Sequence, residues 1–272
     1  MNYFVSIGCC ACLTATCFCA LAQQAVGIAY YDVDRLYDTI PALFYNDERF
    51  TPEGALAWNT ERYLRKICHT AAVIDSLRMP LVALYGVENE AVVRDLTAAC
   101  GEDYCYIHRT GNAFDGLDFA LLYYGEVFFP KYTESGRDYL YVEGTLQQRT
   151  IGLLMSSNTK YADRLVRDLR EERAGAALIL LGRLSSVDCR RWGVRKVLAH
   201  AERVGYGNAR YGQGWGLRDT ALADTTLAVS GGAVYARRYL IDPQHHYPLP
   251  TYEKERYVGG YARSLPIFFY LR

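Results

Sequence analysis

The hydrophobic residues of this chain occur in two different patterns, continuous runs and a recurrence every three or four positions. Continuous apolar runs at residues 26–31, 81–85 and 176–181 predict buried strands. Over residues 60–77 the apolar residues instead recur every three or four positions, which predicts a helix that is buried along one side. Because apolar strands and amphipathic helices both occur along the whole chain, the pattern predicts an α/β protein.

The same reading predicts the remaining elements. Asn89 is a good cap for a helix over 91–99, which Gly101 closes. Further helices are predicted near 161–169 and over 192–203, and further strands over 104–107, 117–124, 127–131, 139–142, 147–156 and 224–230. Nothing in the middle of the 272 residues has the composition of a linker, so we expect one large domain.

The charge balance excludes binding to nucleic acid or to an anionic membrane through the overall charge of the protein. The chain has 30 basic and 30 acidic residues, so no overall field attracts nucleic acid or an anionic membrane. The sequence therefore carries no strong nucleic-acid signal, and any polyanion must bind at a local patch. The 24 tyrosines suit sheet faces and wet binding surfaces without specifying a ligand.

The first 22 residues have the features of a signal peptide. An apolar segment ends in Ala20-Leu21-Ala22, a small-residue cleavage site, so we expect export to the periplasm or cell surface and a mature domain over 23–272. No basic residue precedes the apolar segment, and Cys17 and Cys19 leave a lipid anchor as an alternative. The segment is short for a membrane-spanning helix, so we expect no transmembrane segment in the mature chain.

Four cysteines remain after cleavage, namely Cys68, Cys100, Cys105 and Cys189. They allow three pairings, and a Cys100–Cys105 bridge would close the loop after the second helix in an oxidising compartment. Free buried thiols are an equal alternative. The cysteines do not cluster with histidine, so the spacing does not support a zinc site.

Several motifs occur in a characteristic order. The chain reads Phe-Thr-Pro-Glu-Gly at 50–54, Gly-Val-Glu-Asn at 86–89, Gly-Leu-Asp-Phe-Ala-Leu-Leu-Tyr at 116–123 and Tyr-Val-Gly-Gly-Tyr-Ala-Arg-Ser-Leu-Pro-Ile at 257–267. In these motifs the mature chain resembles the endonuclease/exonuclease/phosphatase family. The resemblance implies the DNase I-like fold, a four-layer α/β sandwich in which two mainly antiparallel sheets pack face to face with helices outside. It also implies phosphoester hydrolysis that depends on Mg²⁺.

The chain departs from the family at the residues that carry this chemistry. Gly86 stands where relatives have a metal-binding Glu, and a glycine offers no side-chain ligand. The other replacements are Asp32 for an Asn, Arg183 and Ser185 for the general-base Asp and the phosphate-binding Asn, and Arg263 and Ser264 for a terminal Asp-His pair. The mid-chain His of relatives is also missing from 154–159. Arginine cannot act as a base near neutral pH, and serine cannot supply the positive charge of histidine.

These replacements predict a protein that keeps the fold, has lost metal-dependent hydrolysis and needs no cofactor. The alternative is an active Mg²⁺-dependent phosphodiesterase or nuclease whose site is rebuilt around Glu88. Arg183 and Arg263 replace acids, so together with Glu88 and Asp115 they define a hypothetical residual site that binds a small phosphorylated or carboxylate anion directly. In the competing hypothesis each arginine pairs with a carboxylate and closes the cleft, which leaves a scaffold for a protein partner.

Overall fold

The computed structural model describes residues 25–272, and the predicted signal peptide lies outside them. In chain order the elements are β1 (Val26–Leu36), α1 (Thr60–Leu77), β2 (Leu81–Val87), α2 (Glu90–Ala99), β3 (Cys105–His108), β4 (Asp118–Tyr123), β5 (Phe128–Gly136), β6 (Tyr139–Leu146), β7 (Arg149–Ser156), α3 (Thr159–Glu172), β8 (Ala177–Gly182), β9 (Val194–Lys196), α4 (Ala199–Arg203), β10 (Ala209–Tyr211), β11 (Gly214–Gly216), β12 (Thr220–Asp224), β13 (Val229–Val234), β14 (Tyr252–Glu253), β15 (Arg256–Tyr257) and β16 (Ile267–Leu271). Short 3₁₀ turns cover Glu48–Phe50 and Arg238–Leu240.

Two six-stranded sheets form the centre of the molecule. The first has the strand order β13-β16-β1-β2-β4-β3, and the second has the order β5-β6-β7-β8-β12-β9. Each sheet is antiparallel except for one parallel pair, β1 with β2 in the first and β7 with β8 in the second. The expectation of two mainly antiparallel sheets is confirmed.

The apolar periodicity of the central strands produces the layers. In β8, Ile179 and Leu181 face the other sheet, whereas Leu178 and Leu180 face α3. In β1, Ile28 and Tyr30 likewise enter the core between the sheets. A third apolar cluster joins the outer face of the first sheet to α1 and α2. Because strands with two buried faces need cover on both sides, the continuous apolar runs lead directly to the four-layer sandwich.

Two predicted elements were wrong. Residues 192–203 are not one helix, because Val194–Lys196 form β9 at the edge of the second sheet and only Ala199–Arg203 are helical. Residues 224–230 are not one strand, because they contain the turn between β12 and β13. Both segments take their conformation from pairing with distant strands, which local periodicity does not report.

The predicted cap of α2 is confirmed, since the Asn89 side chain accepts a hydrogen bond of 3.0 Å from the Val92 amide. The four cysteines named above are free thiols, and Cys68 and Cys105 are exposed. Within residues 25–272 no helix is long and apolar enough to cross a membrane.

Candidate active-site cleft

The candidate site is built around Asp32, where ends of strands from both sheets meet. This residue is buried in β1, where a bulge interrupts pairing with β2 between Asp32 and Leu36. Asp32 Oδ1 accepts a hydrogen bond of 3.0 Å from the Asp34 amide. Asp34 and Arg35 have φ angles of 56° and 62°, so the chain turns sharply over the end of β2.

Gly86 lies under this bulge, at the end of β2, with a φ of 93°. A Cβ atom there would lie 3.3 Å from the Arg35 amide nitrogen and 3.5 Å from that of Asp34. Residues with side chains rarely adopt this backbone conformation. A metal-binding side chain at this position would therefore require a strained backbone conformation and close contact with the backbone of the bulge.

Arg218 is the cation closest to Asp32. Its Nη2 lies 2.5 Å from Asp32 Oδ2 and 2.8 Å from the hydroxyl of Ser264, and its Nε lies 3.4 Å from Asp219 Oδ2. The Asn208 side chain holds both Arg218 and Asp219 in this arrangement. The Asn208 Oδ1 accepts from the Arg218 amide at 2.8 Å, and its Nδ2 donates to Asp219 Oδ2 at 2.9 Å.

Arg183 approaches Asp32 from the end of β8. Its Nη2 lies 3.7 Å from Asp32 Oδ2, its Nη1 donates to the Ser157 carbonyl at 3.3 Å, and its guanidinium carbon is 5.8 Å from the centre of the Tyr85 ring. Ser185, two residues further on, is exposed to solvent. Asp32 thus has two guanidinium groups within ion-pair distance, and that of Arg218 makes the closer contact.

The electrostatics match this geometry. Burial raises the pKa of Asp32 to about 6, and Arg218 opposes the rise. Burial alone would lower the pKa of Arg218, but Asp219 and Asp32 outweigh it, so the pKa of Arg218 is raised. The carboxylates of Asp32 and Asp219 are therefore neutralised by fixed positive charge from the protein itself.

The Mg²⁺ implied by the resemblance does not fit the residues present. Mg²⁺ prefers carboxylate and other oxygen ligands in near-octahedral geometry. Gly86 offers no such side chain. The guanidinium of Arg218 lies 2.5 Å from Asp32 Oδ2, so a divalent cation at this oxygen would be repelled. Within the described part of the chain, no three His, Cys, Asp or Glu side chains are grouped closely enough to hold a metal ion.

Glu88 and Asp115, the two acids assigned to a residual site, make other contacts. Glu88 is buried, and its two oxygens accept from the Asp38 amide at 2.6 Å and the Tyr45 hydroxyl at 3.0 Å. Burial raises the pKa of Glu88 to about 7. Asp115 Oδ1 accepts from the Leu117 amide at 3.3 Å. These hydrogen bonds tie Glu88 to the loop between β1 and α1 and tie Asp115 to its own loop. Among residues 25–272 neither acid is paired with Asp32 or with the arginines beside it.

Arg263 and Ser264 diverge, although they are neighbours in sequence. Ser264 is buried beside Arg218 in the cleft. Arg263 instead donates from Nη2 to the Tyr252 carbonyl at 3.1 Å, and its Nε lies 3.8 Å from Asp34 Oδ2. The structure therefore brings Asp32, Arg183 and Ser264 into one cluster and directs Arg263 towards the cavity next to it.

Two polar atoms at the floor of the cleft have no hydrogen-bond partner within residues 25–272, the Tyr30 hydroxyl and Asp219 Oδ1. Both residues are about 1% exposed. Asp219 and Asp32 contribute to a pKa of Tyr30 that burial raises well above its usual value. Buried polar groups of this kind are usually satisfied by water or by a bound polar atom.

Sequence reasoning missed four members of this cluster, Tyr30, Asn208, Arg218 and Asp219. Asp224, the first residue of the strand predicted over 224–230, is instead the last residue of β12 and pairs with Arg170 at 2.9 Å. The available signal was the Arg218-Asp219 pair immediately before the apolar strand β12. Charged residues directly before or after a buried strand are expected at the end of that strand, where the chain leaves the core.

The family model described as Endonuclease/Exonuclease/phosphatase family matches residues 27–182, which is more than half of the chain. The chain belongs to this family. A comparison with curated proteins returned no match.

Solved structures of family proteins share the fold at low sequence identity. A Bacteroides vulgatus endonuclease/exonuclease/phosphatase aligns with a TM-score of 0.59 at 10% identity, covering 92% of this chain and 99% of that one. The mannosyl-6-phosphatase of Bacteroides thetaiotaomicron VPI-5482 gives 0.58 at 9%, covering 91% and 99%. The D. rerio TDP2 complex with a single-strand DNA product gives 0.57 at 13%, also covering 91% and 99%. These likenesses establish the DNase I-like sandwich and nothing finer.

Proposed function

We propose that this protein is an exported member of the endonuclease/exonuclease/phosphatase family that has lost metal-dependent phosphoester hydrolysis. The observation that carries the proposal is the guanidinium of Arg218, 2.5 Å from Asp32 and held by Asp219 and Ser264. In this proposal a fixed cation of the protein takes the place of the divalent metal that the family's chemistry requires.

The chemistry of hydrolysis supports the same proposal. A metal in such sites polarises the phosphoryl oxygen and activates water, and nearby side chains transfer protons. Arg183 cannot accept a proton, Ser264 cannot carry a positive charge, and Gly86 has no ligand atom. Removing one group of such a machine typically costs orders of magnitude in rate. The contacts of Glu88 do not support hydrolysis through this residue, because hydrogen bonds from Asp38 and Tyr45 hold its carboxylate at the loop between β1 and α1.

An activity assay of residues 23–272 tests the proposal. The protein is incubated with Mg²⁺ or Mn²⁺ and with single-stranded DNA, RNA, phosphoinositides, bis(p-nitrophenyl) phosphate and mannose 6-phosphate. The last substrate is included because a phosphatase with the same fold is named for a mannosyl 6-phosphate. We expect no turnover above the metal-only background. Turnover that is lost in Glu88→Gln or Asp32→Ala, but retained in the surface control Glu53→Gln, would contradict the proposal.

Export is the second part of the proposal and rests on the apolar segment that ends at Ala22. Mass spectrometry of the N-terminus of protein from fractionated cells tests it. We expect a mature chain that begins at Gln23. An intact Met1 in the cytoplasmic fraction, or a lipid on Cys17 or Cys19, would contradict simple cleavage.

A further inference from the structure

A second concave region adjoins the cleft, and Arg218 belongs to both, since it contacts Asp32 and also lines this region. We call it the basic cavity and define it by Arg210, Arg218, Lys254, Arg256 and Arg263, which lie on its walls together with His245. Its volume is about 470 Å³. Ligand sites for small molecules usually fall in the range of about 300–1,000 Å³. The cavity is therefore large enough for a small molecule.

Arg210 is held in place from two sides. Its Nε donates to the Gly212 carbonyl at 3.1 Å, and its guanidinium carbon lies 4.4 Å from the centre of the Tyr247 ring. The Tyr247 hydroxyl in turn donates to the Gln213 carbonyl at 2.7 Å, so ring and guanidinium are anchored to the same β10–β11 hairpin. These contacts leave the two terminal nitrogens of Arg210 for a ligand. A preorganised guanidinium of this kind suits bidentate contact with phosphate or carboxylate.

The cavity has more positive than negative charge. Of its two acids, Glu253 lies 2.5 Å from Arg256, and Asp242 accepts hydrogen bonds from the backbone amides of Gln244 and His245. Neither Arg210 nor Lys254 has an ion-pair partner among residues 25–272. Arg263 has one only at 3.8 Å, from Asp34 outside the cavity. An anion that enters the cavity would therefore meet unneutralised cations.

We propose that the basic cavity binds a small molecule with a phosphate or carboxylate group, without a metal ion, through Arg210, Lys254 and Arg263. This inference goes beyond the loss of hydrolysis and does not depend on it. Arg183 is excluded from the ligand contacts, because it lies against Asp32 and does not line the basic cavity. The expected ligand is a compact anion, and the experiment below distinguishes a phosphate ligand from a carboxylate ligand.

Isothermal titration of residues 23–272 in the presence of EDTA tests this proposal. The titrants are inorganic phosphate, mannose 6-phosphate, citrate and uncharged mannose. We expect saturable binding of at least one anion, no binding of mannose, and weaker binding at higher ionic strength because the contacts are charged. Tighter binding of the phosphates than of citrate identifies a phosphate ligand, and the reverse order identifies a carboxylate.

Paired variants locate the site. Arg210→Gln and Lys254→Met should each weaken binding about tenfold, which corresponds to losing about 1.4 kcal/mol of binding free energy. Their controls, Arg149→Gln and Lys131→Met, remove exposed cations on strands of the second sheet and should leave the affinity unchanged. Thermal unfolding of each variant checks that it is folded.

Two results would overturn the proposal. One is the absence of saturable binding for every anion, and the other is binding that the cavity and control variants weaken equally. The hydrolysis assay above is a separate measurement that uses metal instead of EDTA. Metal-dependent turnover would contradict the proposed loss of hydrolysis but would not bear on anion binding in the basic cavity. A titration without anion binding would contradict the basic-cavity proposal but would not bear on the loss of hydrolysis.

Discussion

Two arginine-bearing regions lie side by side in this protein and hold their charges in opposite ways. In the cleft, Arg218 and Arg183 surround the buried carboxylate of Asp32. In the basic cavity, Arg210 is anchored only by a carbonyl and a tyrosine ring. An arginine with a buried carboxylate partner serves mainly to neutralise that charge, whereas one without a partner remains available for a ligand. If both proposals hold, the chain combines a former metal site that arginine has neutralised with an open anion site.

Replacing one arginine in each region should show the largest difference between them, in the free energy of unfolding. Arg218→Met leaves Asp32 and Asp219 buried without their closest cation, so we expect the free energy of unfolding to fall by about 3–5 kcal/mol. Arg210→Met removes an exposed side chain and should change it by only about 0.5 kcal/mol. Urea denaturation of both variants at neutral pH makes the comparison. Equal effects would remove the distinction between the two regions.

Restoring the family side chain at the end of β2 should fail for a conformational reason. Gly86 has a φ of 93°, so we expect Gly86→Ala to lower the free energy of unfolding by about 1–3 kcal/mol. Gly175 has no atom within 4 Å of the Cβ position, so Gly175→Ala is the matched control, with an expected change of about 0.5 kcal/mol or less. A tolerated Gly86→Glu that also binds Mn²⁺ would show that the backbone had not closed the metal position.

A carboxylate without a cation completes the comparison. Glu88 has its pKa raised from 4.5 to about 7, so it is more easily protonated in the folded than in the unfolded chain. Its contribution to stability is therefore fully present below about pH 4.5 and is lost as the pH rises through about 7. Glu88→Gln should abolish this loss, so the variant should be more stable than the wild type at about pH 8, by about 2 kcal/mol.

Denaturation of wild type and Glu88→Gln at about pH 4.5 and about pH 8 measures this pH dependence. Glu53→Gln is the control, because Glu53 is exposed. A stability difference between Glu88→Gln and wild type that is the same at both pH values would mean that the Glu88 carboxylate is no less favourable in the folded chain than in water.

The sequence was sufficient for the fold and for part of the cleft. The apolar runs that became β1, β2 and β8 have few alternatives to buried strands. The family motifs at the ends of these strands brought Asp32, Gly86 and Arg183 into the predicted site. The contact between Asp32 and Arg218 could not be found in this way, because the two residues are 186 positions apart. It depends on the register of β12 against β8, which pairs Thr220 with Gly182. A single sequence records neither that register nor the fold of the loops around Arg210.

Titration with Mn²⁺, followed by electron paramagnetic resonance of the free ion, tests the central claim most directly. If Arg218 and Arg183 have replaced the metal, residues 23–272 should leave the free Mn²⁺ signal unchanged up to millimolar concentrations. Stoichiometric loss of that signal, reversed by Asp32→Ala, would show that the cleft still holds a divalent cation and would contradict this account.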